Sequence, residues 1–195
     1  LREVGCRTVV CKNAAEGMRM LRNSELLEHV LPELLEGDGM EQNKHHIYTV
    51  FEHNVRALDY AAQEDFKEDV RLAALFHDIG KARTKTGDGP DSHFLKHEME
   101  STNMAYKLLR RLKFPNDRVA KITKLIRFHM FNYSRSENDQ APKESPEDNF
   151  VTDAAVRRLI ANVGPENIND LISVRVSDRM GSGCAKAEPY KVRHL

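Results

Sequence analysis

Tryptophan is absent from these 195 residues, and cysteine occurs only at Cys6, Cys11 and Cys184. An odd count with no Cys-x-x-Cys pair argues against a disulfide framework and a thiolate zinc site, and it points to a reducing, cytoplasmic setting. Net charge is lacking too, because thirty Lys+Arg offset thirty Asp+Glu. A globally basic nucleic-acid binder is thereby excluded, whereas a locally basic face is not. No apolar run approaches the roughly 18 residues of a membrane span, and the start carries no secretory-signal pattern. Strand-like alternation of apolar and polar residues is missing over any useful length. Residue 1 is leucine, so the chain reads as a fragment or as a sequence trimmed to its ordered part.

What is present is helical periodicity. The length suffices for one well-buried core, or one core plus a small flanking module. Asn13 caps a helix running to Leu21, and Ser24 caps a second that Pro32 interrupts. Further helices are expected over about 47–60, 66–79 (closing at Gly80), 94–112, 116–130 (capped by Asn116), 152–163 (capped by Thr152) and 167–180. Residues 82–93 read as a loop. The polar stretch 134–149, with two prolines, reads as a mobile insertion. The whole is expected to be all-α, a bundle of seven to nine helices.

The chemistry lies in the histidines, of which there are nine. Val70, Ala73 and Ala74 precede His77 by seven, four and three residues, so one apolar stripe ends in the doublet His77-Asp78. His129 extends the face of Val119, Ile122 and Ile126; Asp178 extends that of Leu171 and Val174. His53 follows Val50 by three, and His97 opens the 94–112 helix. Any one of these alone is ordinarily a hydrogen-bonded core histidine or a paired carboxylate. Together, five helices each offer an imidazole or carboxylate at or near the inward face, three of them at the end of a clear apolar stripe. Burying four imidazoles and two carboxylates is expensive unless a cation joins them. Nitrogen and oxygen donors suit one or two divalent transition ions, Mn, Fe, Ni, Co or Zn, better than Mg.

On these residues the sequence resembles the HD superfamily of metal-dependent phosphohydrolases. The matching segments are Phe-Glu-His53-Asn-Val, Phe76-His-Asp-Ile-Gly-Lys81, Lys-His97-Glu, Phe-His129-Met and Ser-Asp178-Arg. The resemblance implies an HD-domain helical bundle in which His53, His77, Asp78 and Asp178 hold one ion, and Asp78 bridges to a second held by His97 and His129. It implies hydrolysis of a phosphomonoester or phosphodiester, with Asp78 also orienting the nucleophile and Lys81, one turn beyond His77, neutralising phosphate oxygens together with Arg83 and Lys85. Segments outside the doublet (Glu16-Gly-Met-Arg-Met-Leu-Arg, Leu26-Leu-Glu-His-Val-Leu-Pro, Lys81-Ala-Arg-Thr-Lys-Thr, Thr152-Asp-Ala-Ala-Val-Arg-Arg) look like the neck and HD region of bacterial tRNA nucleotidyltransferase/poly(A) polymerase proteins. That likeness implies a helical neck over 1–40, an HD domain over 41–195, and a nucleotide or RNA substrate, tRNA included. No Asp-x-Asp occurs, so this chain alone is not expected to add nucleotides.

One basic stripe stands out of the neutral whole. Between Lys107 and Arg127 lie eight basic residues against the single acid Asp117. Lys121, Lys124 and Arg127, three apart, share a face suited to a phosphate backbone. A solvated helix face gives the same pattern, and the family likeness favours RNA.

Overall fold

The computed structural model describes residues 10–43, 47–131 and 152–183. Over these the chain forms helices α1 (Ala14–Asn23), α2 (Leu27–Val30), α3 (Pro32–Leu35), α4 (Val50–Gln63), α5 (Glu68–Phe76), α6 (Lys81–Thr84), α7 (His97–Arg111), α8 (Asn116–Phe128), α9 (Asp153–Val163) and α10 (Ile168–Gly181). A two-stranded antiparallel ribbon, β1 (Lys85–Thr86) with β2 (His93–Phe94), sits between α6 and α7. The expected insertion at 134–149, together with Cys6, Cys184, His45 and His46, lies outside the described residues.

Local chemistry sets most boundaries as expected. Asn13 and Thr152 accept the backbone N–H of Glu16 and Ala155 and open α1 and α9. Thr49 does the same for α4 through Glu52 N–H. Two N-cap expectations fail. Ser24 closes α1 instead of opening α2, its hydroxyl donating to the carbonyl of Met20 at 2.9 Å, while Glu25 turns the chain at φ +62. Asn116 lies inside the first turn of α8 after Pro115 and accepts a hydrogen bond from Arg110. The stretch 82–93, expected to be a loop, instead holds most of α6 and the greater part of the ribbon. Its strands are two residues each, too short to alternate visibly in sequence, and the buried Phe94 anchors it.

The core is one cluster drawn from nearly every helix. Phe51, Phe76, Leu108, Leu109, Ile122, Leu125, Ile126 and Leu171 are fully buried at its centre. Leu27 and Leu34 of α2 and α3 join the same cluster, so the N-terminal helices pack directly on the rest.

Two glycines decide how closely the helices approach. A Cβ on Gly80 would overlap Ser101 N of α7 and come within 2.7 Å of the carbonyl oxygen of His97. A Cβ on Gly181 of α10 would sit 2.9 Å from Ala57 N and 3.0 Å from the His53 carbonyl oxygen of α4. Gly80 has φ −73, an ordinary helical value, so it does not close α5 as a left-handed cap; its role is closeness. A hydrogen bond from Gly80 N–H to Ser101 Oγ at 2.9 Å fixes that contact.

In an isolated helix, alanine in place of glycine gains about 1 kcal/mol. Here packed backbone stands in the way and overpacking costs roughly 1–3 kcal/mol, so the cost prevails. Gly80→Ala and Gly181→Ala are each expected to lower the thermal midpoint in circular dichroism, whereas alanine at Gly39, which has open space, fails only through its φ of +68.

Candidate metal centre

The six candidate ligands are all buried and converge on one place. His77 is the C-cap of α5 and His129 the C-cap of α8. Each therefore stands where a helix leaves carbonyls without N–H partners. Each uses one of them: Nδ1 of His77 bonds the Ala74 carbonyl at 2.8 Å, and Nδ1 of His129 bonds that of Ile126 at 2.7 Å. His97, first residue of α7, does the same with the Phe94 carbonyl at 2.7 Å. Because a carbonyl only accepts, Nδ1 carries the proton in all three, and a neutral ring turns its Nε2 lone pair inward.

Asp78 lies at the centre, in the turn between α5 and α6. Its Oδ2 is 3.2 Å from Nε2 of His53 and 3.2 Å from Nε2 of His77. Its Oδ1 faces the other way, 3.1 Å from His97 Nε2 and 3.7 Å from His129 Nε2. Asp178 of α10 closes the first group, with Oδ1 3.2 Å from His53 Nε2 and 3.5 Å from that of His77. Two donor sets result, His53–His77–Asp78–Asp178 and Asp78–His97–His129, with the donor atoms of each within 4.8 Å of one another.

These sets fit a divalent cation. Asp78 Oδ1, His97 Nε2 and His129 Nε2 are buried without a hydrogen bond, although they lie side by side. Unpartnered buried polar atoms each cost on the order of 1–3 kcal/mol. Three that point at a common space are accounted for by a cation there, since neutral imidazole and carboxylate are its natural donors.

The electrostatics follow from the same packing. Burial alone would raise the Asp78 carboxyl, but His77, Lys81 and the hydrogen bond from His53 hold it well below the usual range. Asp178 is likewise held low against burial by His53, His77 and Arg175. Burial alone would lower His77, yet the two carboxylates carry it up to about 10. His129 is pushed down to about 3, by burial and then by the charge on His77. His77 thus holds a proton on the Nε2 that faces the carboxylates.

Lys81 does not extend to solvent. It is buried, with Nζ 2.6 Å from Asp78 Oδ2 and 2.7 Å from Gln42 Oε1. Arg83 is held by a two-pronged pair with Glu36 and a further bond to Glu100. Lys85 Nζ reaches the Glu41 carbonyl at 3.3 Å. The basic stripe divides. Lys121 pairs with Asp170 at 2.8 Å and Asp69 at 3.5 Å, and these partners raise its pKa, so its charge serves the fold. Arg127 pairs with Glu98, while Lys124 borders an open groove. His93 is exposed on β2 and belongs to neither donor set. Two positions give no usable signal in sequence: Gln42 sits in a polar segment without periodicity, and Ser101 in the middle of a helix. Arg175, which bonds Asp178 Oδ2 at 2.7 Å, does stand out there as a charge three residues before that carboxylate.

Comparison with known proteins bears on this geometry. The HD domain family model matches residues 43–179. The A-adding tRNA nucleotidyltransferase of Deinococcus radiodurans is 34% identical over 172 residues, which cover 86% of this chain and 36% of the relative. The CC-adding tRNA nucleotidyltransferase of Thermus thermophilus is 29% identical over 196 residues, 98% of this chain and 41% of the relative. A multifunctional CCA protein of Herminiimonas arsenicoxydans is 37% identical over 100 residues, half of this chain. The chain therefore spans well under half the length of the curated relatives it matches. Among the described residues no helix is long and apolar enough to cross a membrane.

The raised His77 value fixes a pH dependence. Its folded value of about 10 exceeds the ordinary 6.5. Its contribution to stability is therefore complete below about pH 6.5 and is lost as pH rises through 10. A cation must displace that proton, so Mn²⁺ added at pH 8 is expected to release about one proton per chain from His77. Calorimetry in buffers of different ionisation enthalpy measures this number; binding with no proton release at pH 8 would contradict the assignment.

Proposed function

The chain belongs to the HD domain family, and from that premise we propose that it is a metal-dependent phosphohydrolase acting on a phosphomonoester or phosphodiester of a nucleotide or an RNA end. The observation that carries this reading is the division of Asp78, one oxygen toward each donor set. His53, His77, Asp78 and Asp178 would hold one ion, and Asp78, His97 and His129 a second. Bound there, a divalent transition ion (Mn, Fe, Ni, Co or Zn; Mg matches imidazole donors less well) supplies Lewis acidity and a water of lowered pKa for attack on phosphorus.

The chain's own groups prepare that chemistry. The carbonyls of Ala74, Phe94 and Ile126 fix three imidazoles in the Nδ1–H tautomer. Lys81 keeps Asp78 ionised and oriented, and so acts through Asp78 more than on phosphate directly. Arg175 does the same for Asp178. Of the basic residues near the doublet, Arg83 is committed to Glu36, which leaves Lys85 to meet a substrate phosphate.

A second reading has support in the names of the relatives, which are transferases that act on tRNA. On it, the chain is part of a tRNA nucleotidyltransferase, α1–α3 belong to its neck, and the bundle mainly binds RNA. Cytoplasmic placement accords with either reading.

Hydrolysis of bis(p-nitrophenyl) phosphate with Mn²⁺ separates the two. The first reading expects turnover that chelation abolishes and that Asp78→Ala lowers at least ~100-fold together with bound metal. Metal-loaded protein with no turnover on this or a monoester substrate, yet with tRNA binding indifferent to chelation, would leave only the second.

A further inference from the structure

Along the outer sides of α7 and α8 runs a groove of about 620 Å³ that takes in none of the six converging residues. Thr102, Tyr106 and Arg110, four apart, form its α7 border, and α8 supplies Val119, Lys124, Arg127 and Phe128. Tyr106 is 53% exposed, an aromatic face presented to solvent beside apolar Val119 and Phe128.

Two cations of this groove lack the carboxylate partner that several surface arginines have. Arg19, Arg83, Arg111 and Arg118 are matched by Glu52, Glu36, Glu33 and Asp69. Among the described residues, Arg110 and Lys124 have no carboxylate in ion-pair reach; Arg110 bonds only the neutral amide of Asn116. Positive charge is thus left uncompensated where an aromatic face stands open. Arg127, paired with Glu98, marks the far end, and these two residues lie within two positions of His129 and His97 in the chain.

We propose that this groove binds a single-stranded RNA segment, a base stacking on Tyr106 and phosphates meeting Arg110 and Lys124, and that it leads the strand toward the metal centre. The second half of the proposal rests on the phosphohydrolase reading; the first does not. A duplex keeps its bases stacked inside and offers Tyr106 nothing. An acidic peptide would satisfy the cations but gain little from the aromatic face. Unpaired RNA uses both, since every base has a face to stack and every linkage a charge.

The test uses the whole chain and a fluorescein-labelled oligoadenylate octamer, with a duplex of equal length for comparison and polyglutamate as competitor. Tyr106→Ala and Lys124→Glu change exposed or half-exposed positions, and circular dichroism checks that both fold. Wild-type protein is expected to prefer the single strand. Each variant is expected to bind ~10-fold more weakly, and Lys124→Glu also to flatten the salt dependence, by roughly 0.7 in the log–log slope for each phosphate no longer neutralised. Unchanged affinity in both variants overturns the proposal. So does weakening in Lys124→Glu alone with equal competition by polyglutamate, which marks an acidic-peptide surface. Hydrolysis of bis(p-nitrophenyl) phosphate by the wild type is scored separately. RNA binding that depends on Tyr106 and Lys124, without turnover, keeps the groove and removes the hydrolase; turnover with binding indifferent to both variants removes the groove alone.

Discussion

A carboxylate buried as deeply as that of Asp78 is costly unless positive charge surrounds it. Here Lys81 touches one of its oxygens and four imidazoles crowd around both. Charge balance at this point therefore constrains how the helices of the bundle can sit. The polar groups come from α4, α7, α8, α10 and the α5–α6 turn, so displacing any of these elements strands charge in the interior. The surrounding core of Phe51, Phe76, Ile122 and Ile126 excludes water and so makes each of these interactions stronger.

Packing and polarity are joined through small local devices. Gly80 lets α7 ride on the turn that bears Asp78, and Gly181 lets α10 ride on the helix that bears His53. Both glycines sit within three residues of a converging carboxylate. Two histidines occupy helix ends where spare carbonyls orient their rings, which serves helix termination and ring orientation with one hydrogen bond.

The positions of the converging residues are legible in the sequence because helical spacing is a local property: a polar residue that prolongs an apolar stripe must point where the stripe points. The all-α class and the caps at Asn13 and Thr152 are legible for the same reason. What escapes depends on partners distant in sequence. Lys121 looks free until Asp170, 49 residues on, is brought beside it. Lys81 looks like a phosphate contact until Gln42 and Asp78 draw it inward. Gly80 follows the last periodic residue of a helix, so a terminating glycine and a contact glycine read identically in one dimension. The groove on α7 and α8 is half visible: its charges stand in the sequence, but which of them keep their charge unmatched depends on Glu98, Asp69 and Asp170.

His53 and Asp178 stand 125 residues apart in the chain and 3.2 Å apart in the bundle. An ion shared by them would close a loop as a disulfide does, and a covalent link around a loop of about 100 residues contributes on the order of 4–5 kcal/mol on the chain-entropy account. A chain with three cysteines and no pairing pattern would thereby have a cross-link that needs no oxidant. Unlike a disulfide, it opens to a chelator and re-forms without one, so the supply of ions would govern the endurance of the fold together with its chemistry.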